Sequence, residues 1–422
     1  MSFRTALSGL SAANANLGVI SNNIANNNTT GFKQSRAEFG DIFSLSHLGM
    51  SSSRSIGAGV KLNAVTQQFT QGNLETTGNA LDLGLNGEGF FMLKDDGATV
   101  YTRAGGFSID KDGYIVNSAG RRLQGFTALD DGGFAAGTGD IYLDTQQNNA
   151  KATTKTQFGV NLNSAATIPT VTPFDYKNTN SFNYSTSSTF YDSQGGSHTL
   201  TAYFVKNGPN SWTAYYGADG KNPLGEPSAT PPVPAAITPN SATVTFDTDG
   251  RLVSPSPSNI SVNLATLNPS NGATNPMTIS LDFTGSTQFG SASATNSITQ
   301  NGFASGELVG VNVDQDGTIF GNYSNGQSKS LAMVAIANFR NQQGLSPVGD
   351  TAWAQTAAAG EVIIGQAGTS SLGLVQSGTL EVSNVELTEQ LVNMISAQRD
   401  FQANSQVIST NDEMTQTILN LR

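Results

Sequence analysis

The sequence predicts a mainly β protein with an α-helix at each end, the two helices pairing as a coiled-coil domain. Two observations carry this prediction. Apolar residues near both ends recur at alternating steps of four and three, the spacing of helices that pack along a seam. Between about residues 60 and 380, short alternating runs are separated by Gly, Asn and Asp turns. The middle of the chain is therefore expected to form two or more antiparallel β domains.

The N-terminal helix is predicted from Phe3 to Ile24. Gly9 and Gly18 each weaken it by about 1 kcal/mol relative to Ala. The seam is mostly apolar, with two polar insertions. It consists of Phe3, Leu7, Leu10, Asn14, Leu17, Ser21 and Ile24.

The C-terminal helix repeats the spacing over a longer stretch. Ser383 followed by Glu386 fits a capping box, which predicts a helix start near Asn384. A helix from there to Leu421 would be about 55 Å long, and its seam needs a partner. The predicted seam consists of Leu387, Leu391, Met394, Gln398, Phe401, Ser405, Ile408, Asp412, Thr415 and Leu419.

The spacing leaves two arrangements of these helices open. They could form an antiparallel pair that caps a monomer, or they could pack against other copies of the chain. In either arrangement, polar seam residues cost stability but can set the register of the helices.

One turn unit, Asp-Xaa-Asp-Gly, occurs three times in the β region, beginning at Asp110, Asp247 and Asp314. A calcium loop would need an acidic group two residues earlier and a Glu six residues after the Gly. None of the three has either residue. We therefore predict hairpin turns in which the Gly takes the positive φ.

Composition excludes several functions. The net charge of −11 argues against nucleic acid and anionic membrane surfaces as partners. The absence of cysteine excludes disulfides, thiolate zinc sites and a cysteine nucleophile. No apolar run approaches the roughly 18–20 residues of a membrane span, and the N-terminus lacks the apolar core of a cleaved secretory signal.

Groups for catalysis are sparse. The two histidines, His47 and His198, lie far apart in sequence, so no histidine-rich metal cluster is expected. Ser197 and Asp192 flank His198, but adjacent strand residues point to opposite faces, so Ser197 and His198 should not meet. We predict no catalytic residue, no cofactor and no metal, and hence a protein that is not an enzyme.

Several strings resemble the signatures of bacterial flagellar rod and hook proteins. The first runs from Ser21 to Lys33, and two others, Ser377–Val385 and Met394–Asn404, lie near the C-terminus. Thr77–Leu83, Gly87–Phe91 and Tyr101–Phe107 resemble the start of the family's β domain. The motif residues are Asn22, Asn23, Ala25, Asn26, Thr30, Gly31, Phe32, Lys33, Ser383, Asn384, Gln398, Arg399 and Asn404.

The resemblance implies a four-part organisation. Residues 1–28 with 384–422 would form the helical domain, and 29–72 with 372–383 a connecting segment. Residues 73–147 with 302–371 would form an inner β domain, and 148–301 an outer inserted one. Rod proteins of the family are shorter and lack a large central insert, so the insert favours a hook subunit over a distal rod subunit.

A hook subunit would polymerise into a curved hollow tube, a flexible joint that transmits torque from rod to filament. The implied partners are other copies of the chain, the rod, the hook–filament junction proteins, the hook cap and the export apparatus, and the location is the extracellular part of the flagellum. The residues expected at the assembly interface are Phe3, Leu7, Leu10, Leu17, Ile24, Leu387, Leu391, Met394, Phe401, Ile408 and Leu419. A secreted β-rich adhesin and a hydrolase that uses His198 are the alternatives from other classes.

Overall fold

A computed structural model of the chain confirms the mainly β class with one helix near each end. It describes residues 2–42, 57–129, 132–144, 148–221, 240–255, 259–263, 272–274 and 277–420. His47 lies outside the described residues. The chain divides into two compact units. The first comprises Met1–Thr145, Val309–Asn322 and Ser328–Arg422, and the second Gln146–Leu308 and Tyr323–Gln327.

The helices are α1 (Ser2–Ala25) and α2 (Leu387–Asn420), with 3₁₀ turns at Thr179–Ser181 and Gln342–Gly344. The first strands are β1 (Ser35–Asp41), β2 (Val60–Gln67), β3 (Leu74–Thr76), β4 (Leu83–Asn86), β5 (Phe90–Asp95), β6 (Ala98–Thr102), β7 (Phe107–Ile109), β8 (Ile115–Asn117), β9 (Arg122–Ala128) and β10 (Phe134–Asp140). Next come β11 (Lys155–Asn163), β12 (Tyr184–Tyr191), β13 (Ser197–Gly208), β14 (Ser211–Ala218), β15 (Ser241–Phe246), β16 (Leu252–Ser254), β17 (Asn259–Asn263), β18 (Thr278–Asp282), β19 (Thr287–Phe289) and β20 (Ala294–Gln300). The last are β21 (Leu308–Val313), β22 (Thr318–Tyr323), β23 (Ser328–Val334), β24 (Ile336–Phe339), β25 (Ser346–Gly349), β26 (Ala352–Ala354), β27 (Val362–Gly365), β28 (Leu374–Ser377) and β29 (Thr379–Glu381).

The start of α2 differs from the prediction. The helix begins at Leu387, and its first turn is closed by the bond from the Gln390 amide to the Glu386 carbonyl oxygen (3.0 Å). The predicted start near Asn384 fails because the Asn384 side chain is bound to the backbone of distant segments. Ser383 Oγ accepts a bond from the Val385 amide instead of capping the helix.

The first unit is organised around one large sheet. Its main strand order is β21-β22-β23-β9-β5-β6-β26-β25, and β7, β8, β10, β24 and β27 attach at its sides. Alternate residues of β5 enter different cores: Phe91 and Leu93 join one buried cluster, while Phe90 and Met92 join another. Both faces of this sheet are therefore covered. Three separate strand pairs, β1–β2, β3–β29 and β4–β28, lie between the sheet and the helices in sequence.

The second unit contains two five-stranded sheets that share one core. β12 to β16 form a consecutive antiparallel sheet, and the other has the order β17-β18-β11-β19 with β20 on β11. The prediction of purely antiparallel pairing is wrong for β11, which runs parallel to β18 and β19. These two short strands follow one another along one edge of β11. The Ser286 side chain fills the gap between them, donating to the Phe158 carbonyl oxygen and accepting from the Val160 amide.

The three Asp-Xaa-Asp-Gly units are confirmed as turns. Gly113, Gly250 and Gly317 have φ values of 89°, 79° and 84°. The amide of each Gly donates to the carbonyl oxygen of the first Asp of its unit. The described residues contain no group of three or more metal-ligating side chains.

His198 holds two turns of the second unit together. Its Nδ1 lies 2.7 Å from Asp219 Oδ2 and its Nε2 lies 3.2 Å from Asp192 Oδ2. Both ring nitrogens are thus occupied by carboxylates, which leaves neither for a proton transfer with Ser197. Burial lowers the pKa of His198, but the bonds to Asp219 and Asp192 outweigh burial and raise the net pKa above its ordinary value.

The raised pKa predicts a pH-dependent stability. Protonated His198 stabilises the fold fully below its unfolded pKa of about 6.5, and this contribution is lost as pH rises through the higher folded pKa. The difference in unfolding free energy between the unsubstituted chain and His198→Gln should therefore shrink from pH 6 to pH 9. In a Trp353→Phe background, Trp212 is the sole tryptophan and reports urea unfolding of this unit. A difference that stayed constant with pH would contradict the prediction.

Candidate assembly interface

The two helices contact each other along a seam that repeats every seven residues. In α1, Ala6, Ala13 and Ile20 are buried, and in α2, Gln390 and Ala397 are buried. The half-buried residues between them complete the four-three spacing. They are Leu10, Leu17 and Ile24 in α1, and Met394, Phe401, Asn404, Ile408 and Asn411 in α2.

The predicted seam shares six of its 17 positions with this contact. Leu10, Leu17 and Ile24 of α1, and Met394, Phe401 and Ile408 of α2, are half-buried at positions that continue this seam. The alternate predicted positions are each one residue away from a buried one: Ala6, Ala13 and Ala397 are buried in place of Leu7, Asn14 and Gln398. These small residues let the helices approach closely. The remaining predicted residues are largely exposed: Phe3 (46%), Leu7 (47%), Leu387 (43%), Leu391 (46%), Asn14, Ser21, Gln398, Asp412 and Thr415. Ser405 is half-buried, and the side chain of Leu419 lies outside the described residues.

The helices approach each other closely at Gly9. A Cβ atom on Gly9 would lie 2.5 Å from Asn404 Oδ1, a distance that requires the Asn404 side chain to move. Asn404 is held in place by the bond from its Nδ2 to the Asp400 carbonyl oxygen (2.8 Å). Gly18, by contrast, has no atom within 4 Å of a Cβ position.

A buried charge cluster lies where the helices meet the β strands. Lys33 Nζ is 2.6 Å from Glu381 Oε1, and both side chains are completely inaccessible to solvent. Arg103 Nη1 donates to Glu381 Oε2 at 3.2 Å. Lys33 Nζ also donates to the Thr70 carbonyl oxygen (2.7 Å), and the Gly72 amide donates to Glu381 Oε1 (2.8 Å). One carboxylate thereby joins four segments of the chain.

Burial of this cluster disfavours the charged forms of its two cations. Burial lowers the pKa values of Lys33 and Arg103, and the negative charge of Glu381 opposes this effect in both. Removing one partner of a buried ion pair typically costs about 3–5 kcal/mol, because the remaining charge is left without compensation. Glu381 is the partner that both cations share.

A second set of bonds is made by side-chain amides. Asn23 exchanges two hydrogen bonds with the backbone of Ser35, each 2.8 Å long, and its Nδ2 also donates to Gln390 Oε1 at 3.3 Å. Asn384 Oδ1 accepts from the Gln34 amide at 2.7 Å. Its Nδ2 donates to the carbonyl oxygens of Gln68 and Thr70 at 2.8 and 3.2 Å. We define the polar joint as Asn23, Lys33, Arg103, Glu381, Asn384 and Gln390.

The other motif residues have different positions. Gly31 has a φ of 68°, and a Cβ atom there would lie 2.4 Å from the Ala104 nitrogen. Ser383 is buried, while Ala25, Gln398 and Arg399 are exposed. Asn22, Asn26, Thr30 and Phe32 line an open cavity of about 800 Å³ together with residues 347, 349–353 and others.

Sequence analysis did not identify Arg103, Glu381 or Gln390 as individual functional residues. Arg103 and Glu381 lie within the strings Tyr101–Phe107 and Ser377–Val385, in which they are the sole charged residues. A lone charge within a motif of otherwise neutral residues is the signal that could have indicated a buried ion pair. Gln390 gives no such signal, since a polar residue on a helix is usually exposed.

Removing the shared carboxylate should destabilise the first unit. We expect Glu381→Gln to lower the free energy of unfolding by about 3–5 kcal/mol, because Lys33 and Arg103 would remain buried without a counter-charge. Glu75→Gln is the matched control, since Glu75 is exposed on the strand that pairs with β29. In a Trp212→Phe background, urea unfolding monitored by Trp353 fluorescence measures both, and a loss below about 1 kcal/mol for Glu381→Gln would contradict the prediction.

The two glycines of α1 should respond differently to Ala. Gly18→Ala should stabilise the helix pair by up to about 1 kcal/mol, because Ala is the better helix former and nothing obstructs it. Gly9→Ala should forfeit this gain, because its Cβ displaces Asn404. Adding Asn404→Ala should restore it. Thermal unfolding followed by helical circular dichroism tests the double-mutant cycle, and equal gains from both single variants would rule out the close approach.

The chain matches four family models that together span most of its length. They are the flagella basal body rod protein (residues 3–33), the flagellar hook protein FlgE/F/G D1 domain (84–187), the flagellar basal body protein FlaE D2 domain (161–303) and the flagellar basal body rod FlgEFG protein C-terminal (376–421). A solved structure, the Helicobacter pylori flagellar hook protein FlgE2, shares the fold with a TM-score of 0.54. It has 14% identity and covers 73% of this chain and 100% of its own.

Curated relatives match over the full length. The flagellar hook protein FlgE of Escherichia coli K12 is 40% identical over 431 residues, covering 100% of both chains. That of Salmonella typhimurium LT2 is also 40% identical, over 433 residues and 100% of both chains. That of Borreliella burgdorferi is 33% identical, covering 100% of this chain and 99% of its own. With this identity over complete chains, the chain belongs to the flagellar hook protein family.

Proposed function

We propose that this chain polymerises into the curved hollow tube of the hook, with the terminal helices forming the inner wall of the tube. The observation that carries this proposal is the number of large apolar side chains that the helix pair leaves exposed. Each has an exposed fraction between 43% and 58%. They are Phe3, Leu7, Leu387, Leu391, Val392, Ile395, Val407 and Met414.

These side chains favour contacts between copies. A helix pair whose contact seam is already filled by the two helices of one chain still needs a cover for its second apolar face. Leu7 and Leu391 lie one residue beside the buried seam positions Ala6 and Gln390, and Phe3 and Leu387 occupy exposed ends of the seam. We therefore assign them to contacts between subunits, and Leu10, Leu17, Ile24, Met394, Phe401 and Ile408 to the contact within the pair.

The pairing of α1 and α2 has the spacing of a coiled coil. Positions that recur every seven residues keep a seam in contact only when the helices wind around each other with a left-handed supercoil. Small residues at Ala6, Ala13 and Ala397 bring the axes close together. We infer an antiparallel coiled coil of α1 and α2 as the unit that assembles.

The four-part organisation belongs to the same proposal. Residues 1–28 with 384–422 form the helical domain, 29–72 with 372–383 the connecting segment, 73–147 with 302–371 the inner β domain and 148–301 the outer one. The polar joint supports this division, because Asn23 and Asn384 of the helical domain bond to Ser35 and Gln34 of the connecting segment. A contact that repeats head to tail without closing into a ring generates an open helical polymer, as a tube requires.

We further propose that the tube acts as a flexible joint that transmits torque and has no catalytic activity. Its partners would be the rod, the hook–filament junction proteins, the hook cap and the export apparatus, in the extracellular part of the flagellum. Within the described residues no helix is both long and apolar enough to span a bilayer. A distal rod subunit, an adhesin and a hydrolase have less support, since the full-length relatives are hook proteins.

Polymerisation of the purified chain tests the proposal directly. Electron microscopy should show curved tubes, and Leu391→Glu should abolish them, because a charge would be buried between copies. The unfolding free energy of the monomer should change by less than about 1 kcal/mol, since Leu391 is 46% exposed. Leu391→Met, which keeps an apolar side chain, is the matched control. Tubes formed normally by Leu391→Glu would remove this residue from the interface, and straight rods from the unsubstituted chain would contradict a hook.

A further inference from the structure

The helix pair has a fixed antiparallel register. Gly9 lies opposite Asn404, and Asn23 is hydrogen-bonded to Gln390. The 14 residues that separate Gly9 from Asn23 match the 14 that separate Gln390 from Asn404. Extending this register places Ser2, the first described residue of α1, opposite about residue 411 of α2.

α2 extends beyond this point. It continues to Asn420, about nine residues or about 14 Å past the position opposite Ser2. We call residues 412–420 the overhang. Residues 412–417 are all exposed, and Met414 at 57% is among the most exposed large apolar residues of the helices.

The overhang continues the contact seam in sequence. After Ile408 and Asn411, the four-three spacing leads to Thr415 and Ile418, with Met414 beside them. A seam with this spacing is covered by another helix, one that offers small or apolar residues. Within the described part of the chain, α1 provides no residue opposite the overhang.

The outward stripe of α1 has the properties that such a cover needs. Its exposed residues follow the same spacing, and those after Arg4 carry no charge. They are Leu7, Ser11, Asn14, Gly18 and Ser21. Arg4 is the only charged residue of α1, whereas the water-exposed face of a helix is usually rich in charge. A Cβ atom on Gly18 would meet nothing within 4 Å, so a neighbouring helix has room to approach there.

We propose that the overhang of one copy packs against the outward stripe of α1 in a second copy. This inference rests on the proposed polymerisation and names the surfaces that join. The two surfaces differ, so the contact is heterologous and propagates from copy to copy. One chain cannot make the contact alone: Gly18 lies opposite about residue 395 of its own α2, which is about 28 Å from Met414 along the helix.

Disulfide trapping tests the contact. The chain contains no cysteine, so Met414→Cys and Gly18→Cys can be introduced into separate chains without background. Mixed and polymerised under mild oxidation, the two variants should yield cross-linked dimers that contain one chain of each kind. The unpolymerised mixture should not. Dimers in the monomeric mixture at the same yield, or no mixed dimers in tubes, would overturn the proposal.

Two further variants separate assembly from folding. A chain ending at Asn411 retains every residue of α2 that the register places opposite α1, so its thermal unfolding should match that of the full chain while its polymerisation is lost. Gly18→Lys should be at least as stable as the unsubstituted monomer, since Lys is the better helix former, but should not polymerise. Gly18→Ala is its control and should form tubes.

The outcomes distinguish this proposal from the one on which it rests. Tubes from both the truncated chain and Gly18→Lys, at the critical concentration of the full chain, would overturn the overhang contact and leave the hook function intact. A complete failure of the unsubstituted chain to form tubes would overturn both. Loss of polymers together with loss of monomer stability in the truncated chain would show that the overhang serves folding, and would also overturn the proposal.

Discussion

The bond of the Glu381 carboxylate to two buried cations is the constraint on which the first unit depends. Lys33 follows the N-terminal helix, Arg103 follows a strand of the large sheet, and Glu381 precedes the C-terminal helix. None of these segments is close to another in sequence, so the carboxylate determines how both helices leave the β strands. The cost of burying three charges is offset because every oxygen of Glu381 is bonded, including its backbone oxygen, which accepts from the Gly31 amide.

Local features of this fold could be predicted from sequence, and features set by distant partners could not. The three Asp-Xaa-Asp-Gly turns were predictable, because the aspartate and glycine that form each turn are neighbours in the chain. The four-three spacing located both helices, and large residues such as Phe401 are half-buried at the positions that the spacing indicates. Seam positions that the spacing did not indicate include Ala13 and Ala397, whose small size becomes informative only when a partner helix is placed against them.

Long-range bonds also explain the remaining differences. Ser383 and Glu386 have the spacing of a capping box, yet the helix starts at Leu387, because Asn384 binds Gln34 and Gln68 in a distant segment. The polar joint likewise depends on bonds between residues that are distant in the sequence. Sequence motifs located Asn23 and Lys33, but their role depends on Glu381 and Gln390, more than 340 residues away, at separations of 348 and 367.

In and beside the helical region, several polar groups are buried and several large apolar groups are exposed, unlike in an ordinary globular domain. Polar and charged side chains such as Asn23, Lys33 and Glu381 are buried, while apolar ones such as Leu391 and Met414 are exposed. Buried polar bonds have strict geometry and so fix a single arrangement within the chain. Exposed apolar area contributes its free energy only when copies associate. Because different residues serve the two purposes, the stability of the subunit and the strength of its polymer can change independently.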